Sequence, residues 1–283
     1  MARAKHHPPP QPKALEPLPP NTQAILRSGV EAVAYHIPVV PPSPTDSLLK
    51  TTIALPRRSS WTSGLHFHTG HTEHLRLIKG SIFVYLDGDL RIISAKAGGE
   101  VSSKTGEILK SGLEIIVDKY VRHDWGRADE YLYSRWSGRG LHGNILYAED
   151  SYEEVVVEEW TDPADMTKPL FFWNLNAVIT APQNKPLSAS QNLIKLALGS
   201  WWIPFQLSII FWDLDNWPIL LDLRLLASPY LGEKVGTCFE RLSEYLMTFV
   251  VLFAAKELGR FTGIQSVSKE RTPKDLWHVY KKS

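Results

Sequence analysis

The chain has 283 residues and a formal net charge of +1, with 31 basic against 30 acidic side chains. That balance excludes a polyanion-binding surface as the default role, because nucleic-acid binders carry a basic excess. A content of 43% hydrophobic and 22% charged residues excludes disorder of the whole chain, and the single cysteine, Cys238, excludes both an intrachain disulfide and a cysteine-built metal cluster. A reducing, cytoplasmic compartment therefore fits better than secretion. Basic residues open the chain, but no apolar run follows them, so no signal peptide is expected. Prolines at 8, 9, 10, 12, 17, 19 and 20 also defeat an amphipathic transit helix. Residues 1–24 are expected to form a disordered or polyproline-like tail, with His6 and His7 solvated. Between 25 and 50, IPVV and PPSP predict extended chain with turns.

From Thr51 to about 160 the pattern changes. TTIAL, HLRLI, SIFVYL, LRIIS, LEIIV and YLYSRW each have strand length and composition, with Gly- and Asp-rich breaks between them. Asp87-Gly88 predicts a tight hairpin, because such a turn needs positive φ. Closely spaced strands without a helical period imply an antiparallel sandwich or small barrel over 25–160.

One string in this region carries chemistry: Gly64-Leu65-His66-Phe67-His68-Thr69-Gly70-His71-Thr72-Glu73-His74. His66 and His68 are two apart, so on a strand they share a face. Thr69-Gly70 allows a turn, after which Glu73 on the next strand can return to the same interior point. Imidazole with carboxylate suits a divalent first-row transition metal. His123, after another strand-like run, is a fourth candidate ligand. His71 falls in the turn, and His74 is out of phase with Glu73 and expected on the opposite face. Either reads as a surface histidine or as a proton carrier near a pocket mouth. Glu114 and Asp118 read as solvated strand positions.

The spacing HxH, four residues, Glu, six residues, Gly is met by His66, His68, Glu73 and Gly80. It resembles the first motif of the cupin superfamily. Gly112 and His123 fall at the spacing of the second motif, whose proline, second glycine and asparagine positions hold Asp118, Tyr120 and Arg127. Ser60 stands where the first motif opens on glycine. The likeness covers residues 50–140, and the chain is also similar to single-cupin-domain proteins of fungal natural-product pathways. The resemblance implies a mainly β fold, an RmlC-like antiparallel jelly-roll β-barrel, with the metal inside it held by His66, His68, Glu73 and His123.

Aromatic residues gather in the same stretch: Trp61, Phe67, Phe83, Tyr85, Tyr120, Trp125, Tyr131, Tyr133 and Trp136. They read equally as the lining of an apolar pocket or as a packed core. Arg135 shares a face with Tyr131 and Tyr133, placed to orient an acidic substrate group or to make a surface ion pair.

Residues 161–283 read as an apolar helical extension. FFWNLNAVI, NLIKLALGSWWIPFQLSIIFW, WPILLDLRLLASPYL and CFERLSEYLMTFVVLFAAKELGRF are its apolar runs. Leu193–Trp212 is long enough to span a bilayer but contains Lys195, Pro204 and Gln206, and Trp201, Trp202, Trp212 and Trp217 resemble interfacial aromatics. Tyr245–Ala255 has the length of a buried helix. Three arrangements stay open: packing on the barrel, a homodimer face, or membrane contact through residues 191–260. Asp215, Ser228 and Glu233 are placed for helix starts, and Gly259 and Gly263 for a helix end. Asp213, Asp215, Asp222 and Arg224 lie between apolar runs, where an Asp–Arg pair is expected, and Cys238 reads as an inert buried thiol. GLHGN and AGGE lack the context of a phosphate-cradling loop, and no Gly-x-Ser-x-Gly elbow occurs.

The expected activity is that of a metal-dependent enzyme on a small apolar or aromatic metabolite. Oxygenation with iron(II) comes first, because histidine-plus-carboxylate sites with open positions suit that ion. Redox-neutral isomerisation, cyclisation or dehydration by Lewis-acid chemistry comes next, and manganese, nickel, copper or zinc are alternatives to iron. A reading from another class is a non-catalytic cupin that binds a ligand or scaffolds partners, held at a membrane by its helices.

Overall fold

Apolar–polar alternation shapes the strands Thr72–Lys79 and Glu114–Val117, the strands Val33–Pro38 and Thr51–Leu55 are buried along their whole length, and the described strands pair antiparallel throughout. The structure, a computed structural model, describes residues 8–43, 48–102, 105, 107–128, 153–181, 187–221 and 233–282, with the backbone alone over 233–240. His6, His7, Tyr131, Tyr133, Arg135, Trp136, Asp222, Arg224 and Ser228 lie outside the described residues, as do the side chains of Glu233 and Cys238. The strands in chain order are β1 (Thr22–Arg27), β2 (Val33–Pro38), β3 (Thr51–Leu55), β4 (His66–Phe67), β5 (Thr72–Lys79), β6 (Ser81–Leu86), β7 (Asp89–Ser94), β8 (Gly99–Val101), β9 (Ile108–Ser111), β10 (Glu114–Val117), β11 (His123–Arg127), β12 (Val155–Asp162) and β13 (Trp217–Pro218). The described residues fall into two units, one within 1–64 and 72–165, the other within 65–71 and 166–283.

In the first unit one sheet runs β1-β2-β3-β12-β5-β10, and a second contains β11-β6-β7-β8-β9. β6 and β7 form the hairpin that Asp87-Gly88 predicts, with both turn residues at positive φ (48° and 111°). The consecutive strands β5 and β6 do not pair. Gly80 between them, at φ +80°, carries the chain from one sheet to the other. That passage gives two sheets where the resemblance implies one closed barrel.

Parity decides what β5 buries. Glu73, Leu75 and Leu77 face inward, and His74 and Arg76 face away. Tyr35, Ile53, Leu55 and Ile82 are also fully buried. The proline-rich segment leads into β1, which takes Thr22–Ala24 from the expected tail. Leu15 packs on Ala34, Ala54 and Val156, and its backbone N–H donates to His36 Nε2 at 2.9 Å.

The second unit holds α1 (Thr167–Ile179), α2 (Ala189–Leu198), a 3₁₀ turn (Gly199–Trp201), α3 (Trp202–Asp213), α4 (Glu233–Thr262) and α5 (Lys274–Tyr280). Ser188 and Gln191 form a capping box at the start of α2. The Leu193–Trp212 run is broken at Gly199–Trp201 rather than forming one uniform helix. Gly263, at φ +71°, follows the end of α4 as a C-terminal glycine should. Gly259 lies in the last turn of α4, near the helix end as expected, and a Cβ there would meet Ile209 Cδ1 at 2.5 Å. The missing side chain lets α3 and α4 approach. Asp213 pairs with Lys256 at 2.9 Å, while Arg224, the arginine of the expected Asp–Arg pair, lies outside the described residues.

Candidate metal centre

Two strands of the first unit bring Glu73 and His123 inward. Glu73 follows the buried parity of β5. His123 opens β11 and shares its face with Trp125 and Arg127, all three buried. His123 Nε2 lies 2.7 Å from Glu73 Oε2. The other ring nitrogen, Nδ1, donates to the Val121 carbonyl at 3.0 Å, which leaves Nε2 as the nitrogen turned toward Glu73.

His66 and His68 are set by a different set of contacts. β4 pairs with β13, Trp217 opposite Phe67 and Pro218 opposite His66. Ile219 N–H extends that pairing by donating to the Leu65 carbonyl at 2.9 Å. Trp217 also stacks on Tyr245 of α4, with ring planes 5° apart, so an aromatic cluster backs the short pairing. The His66 and His68 rings lie 5.1 Å apart and nearly perpendicular, and both residues are buried. His68 Nδ1 donates to the main-chain carbonyl of Asp215.

His66, His68, Glu73 and His123 each offer one ligand atom, and the four atoms lie within 4.8 Å of one another. A metal about 2.1 Å from each ligand would set neighbouring ligand atoms about 3 Å apart and opposite ones about 4.2 Å apart. Glu73 Oε2 and His123 Nε2, both in the first unit, are 2.7 Å apart, a few tenths of an ångström short of the spacing between neighbouring ligands. The donor set, three imidazoles and one carboxylate, suits a divalent first-row transition metal.

Asp215 is the residue that sequence reasoning placed elsewhere, near a helix start. It sits past the end of α3 at φ +51°. Its carboxylate accepts from Thr69 N and Thr69 Oγ1 (both 2.7 Å), Gly70 N (2.9 Å) and His71 Nδ1 (2.7 Å). Burial pushes the carboxyl up, but the bonds from His71, Thr69 and Gly70 outweigh it and hold the group well below the usual carboxylate range.

Neither remaining histidine is a bare surface group. His71 is bound to Asp215. His74 faces away from Glu73, as parity requires, and stacks on Trp160 (5.1 Å, 9°) with its Nδ1 3.0 Å from Glu114 Oε1. Glu114 and Asp118 are exposed, as expected of solvated positions. Tyr120 stands where the second motif has glycine, and its backbone keeps a glycine-like φ of +64°. Arg127, at the motif's asparagine position, is buried and donates to the Leu55 carbonyl at 3.1 Å. Among the described aromatics, Trp61 and Trp125 pack edge to face at 5.0 Å. Their indole N–H groups donate to Tyr35 Oη (2.9 Å) and Glu159 Oε1 (2.7 Å). They belong to a packed core. Tyr120 is exposed.

No family model and no curated protein matches the chain. Among solved structures it is similar to a predicted oxalate decarboxylase from Thermotoga maritima, at 16% identity and a TM-score of 0.29, over 50% of this chain and 90% of that one. It is similar also to KdgF from Halomonas sp., at 12% identity and a TM-score of 0.28, over 48% and 86%. A cupin 2 conserved barrel domain protein from Rhodopseudomonas palustris matches at 9% identity and a TM-score of 0.30, over 51% and 73%.

Proposed function

We propose that the chain is a metal-dependent cupin enzyme in which His66, His68, Glu73 and His123 hold one divalent transition metal, iron(II) first. The observation that carries this reading is the convergence of four buried ligand atoms within 4.8 Å. A bound ion supplies Lewis acidity and an open position for a small apolar or aromatic metabolite, with dioxygen as co-substrate in the oxygenase form. Asp215 and Val121 hold the Nδ1 atoms of His68 and His123, so each ring turns Nε2 toward the ion. Leu75 and Leu77 continue the buried face of β5 beyond Glu73, and Trp125 does the same on β11, so apolar side chains border the ligands and exclude water. Redox-neutral isomerisation, cyclisation or dehydration by Lewis-acid chemistry is the runner-up form of the activity, and manganese, nickel, copper or zinc are the alternatives to iron.

The test is elemental analysis of protein carrying no histidine tag, beside His66→Ala and Glu73→Gln. Near-stoichiometric metal in the parent, lost in both variants, is expected. Iron directs the next assay to oxygen uptake with aromatic metabolites, and zinc or manganese directs it to redox-neutral turnover. A parent that neither carries metal nor takes it up, or a Glu73→Gln variant with full metal and full activity, overturns the assignment.

A second reading is favoured by the helices: Leu193, Leu196 and Trp201 are 68%, 82% and 69% exposed, within a 25-residue apolar stretch, Ala189–Asp213. It makes the chain a non-catalytic cupin module held at a membrane. Protein that stays in the soluble fraction, monomeric without detergent, overturns it.

A further inference from the structure

The geometry points to Asp215 as a positioning residue of the metal centre, fixing His68 through its main-chain carbonyl and the His68–His71 turn through its carboxylate. This inference rests on the reading of His66, His68, Glu73 and His123 as metal ligands.

The turn matters because it separates the two histidine ligands from the carboxylate ligand. Thr69, Gly70 and His71 lie between His68 and Glu73 in sequence, so any slack there moves one ligand relative to the next. Asp215, 147 residues from His68, addresses every residue from His68 to His71. A carbonyl can only accept, so the bond from His68 Nδ1 fixes the proton on that nitrogen and leaves Nε2 as the ligand atom. An ionised carboxylate likewise only accepts, and the Thr69, Gly70 and His71 groups it faces are all donors. Two local features serve this grip. Gly70 keeps the approach open: a Cβ there would lie 3.3 Å from Asp215 Oδ2. The φ of +51° at Asp215 turns its carbonyl and its carboxylate onto the same short segment, a conformation that aspartate tolerates better than most residues. The Asp215 side chain is only 12% exposed, so its bonds face little competition from water.

Asp215→Asn tests the carboxylate. The variant keeps shape and backbone preference but sets an amide donor against one of the donors now facing a carboxylate oxygen. Asp215→Gly removes the carboxylate without straining the backbone. Asp213→Asn is the control, because Asp213 bonds Lys256 and Ser266 rather than the turn. The full-length metal-free protein is titrated with cobalt(II), read by its visible d–d absorption and by competition with a chelator, and its melting temperature is recorded without metal. Both Asp215 variants should bind cobalt about 10–100-fold more weakly, with displaced d–d bands. Asp213→Asn should match the parent. If one Asp215 variant does not fold, the other decides, together with Thr69→Val, which removes a single bond and should weaken cobalt binding by a few-fold. Parent-like affinity and spectrum in a folded Asp215 variant overturns the positioning role and leaves the metal centre standing. A parent that binds no cobalt, or a His66→Ala variant that binds it as well as the parent, overturns the metal centre and this inference with it.

Discussion

Replacing Gly80 with alanine should be among the more damaging single-atom-scale changes in the strand-rich unit. Two separate strains meet there. The residue sits at φ +80°, where an L side chain costs about 1–2 kcal/mol. An added Cβ would also lie 2.8 Å from Val155 Cγ2 and 2.9 Å from the Glu154 carbonyl oxygen. One of those neighbours is backbone, and Val155 sits in β12, paired to β3, so neither gives way cheaply. Overpacking of this kind costs about 1–3 kcal/mol. The sum is about 2–5 kcal/mol, a fall in melting temperature on the order of 5–15 °C for a protein of this size. Gly98 separates the two strains, because it has φ +76° with nothing within 4 Å of its added Cβ. Gly98→Ala should therefore lose only the conformational part, about 1–2 kcal/mol. Both variants are melted in chelator, so that metal binding does not add to the native state. Equal melting temperatures for Gly80→Ala and Gly98→Ala would refute the claim that steric contact at the passage between the sheets carries half the effect.

His36 should make stability depend on pH. Burial pulls its pKa below 6.5, with the Thr52 carbonyl bond opposing, and only the neutral ring can accept from Leu15 N–H. The unfolded chain therefore binds the proton first. Stability is full above about pH 6.5 and falls as pH drops toward the lowered folded value. In His36→Gln the difference between melts at pH 7.5 and 5.5 should shrink, and an unchanged difference would rule His36 out as its source. In the helical unit, Leu252 is fully buried beside Phe67 and Trp217. Leu252→Ala should cost about 2–5 kcal/mol by denaturant unfolding. Leu246→Ala, at a 49% exposed position on the same helix, α4, should stay within about 0.5 kcal/mol.

What was legible in the sequence follows the distance over which each feature is encoded. His66, His68 and Glu73 lie within one short string, and strand parity alone places Glu73 inward with Leu75 and His74 outward. Asp87-Gly88 specifies its own hairpin, because the backbone conformation is a property of those two residues. Tyr120 shows the limit of pattern matching from the other side: the residue departs from the motif's glycine, yet the backbone keeps the left-handed conformation. The closed barrel was not decided by any local signal, since it depends on which strands β5 and β6 choose as partners across Gly80.

The grip of Asp215 on the His68–His71 turn was illegible for a physical reason. A residue between two apolar runs carries no period, and β13 pairs with β4 over just two residues, too few to show an alternation. Asp215 therefore looked like a helix-terminal aspartate. Its role becomes visible only when Trp217, Tyr245 and Leu252 pack around Phe67 and bring the segment after α3 alongside β4. The apolar character of residues 161–283 has the same explanation in part. Trp217 and Leu252 are buried against Phe67, which lies between His66 and His68. A run of tryptophans that resembles an interfacial belt in the sequence thus includes Trp217, which is buried against Phe67 between His66 and His68. Composition cannot separate the two, because a tryptophan in a protein core and one at a lipid interface satisfy the same mean hydropathy.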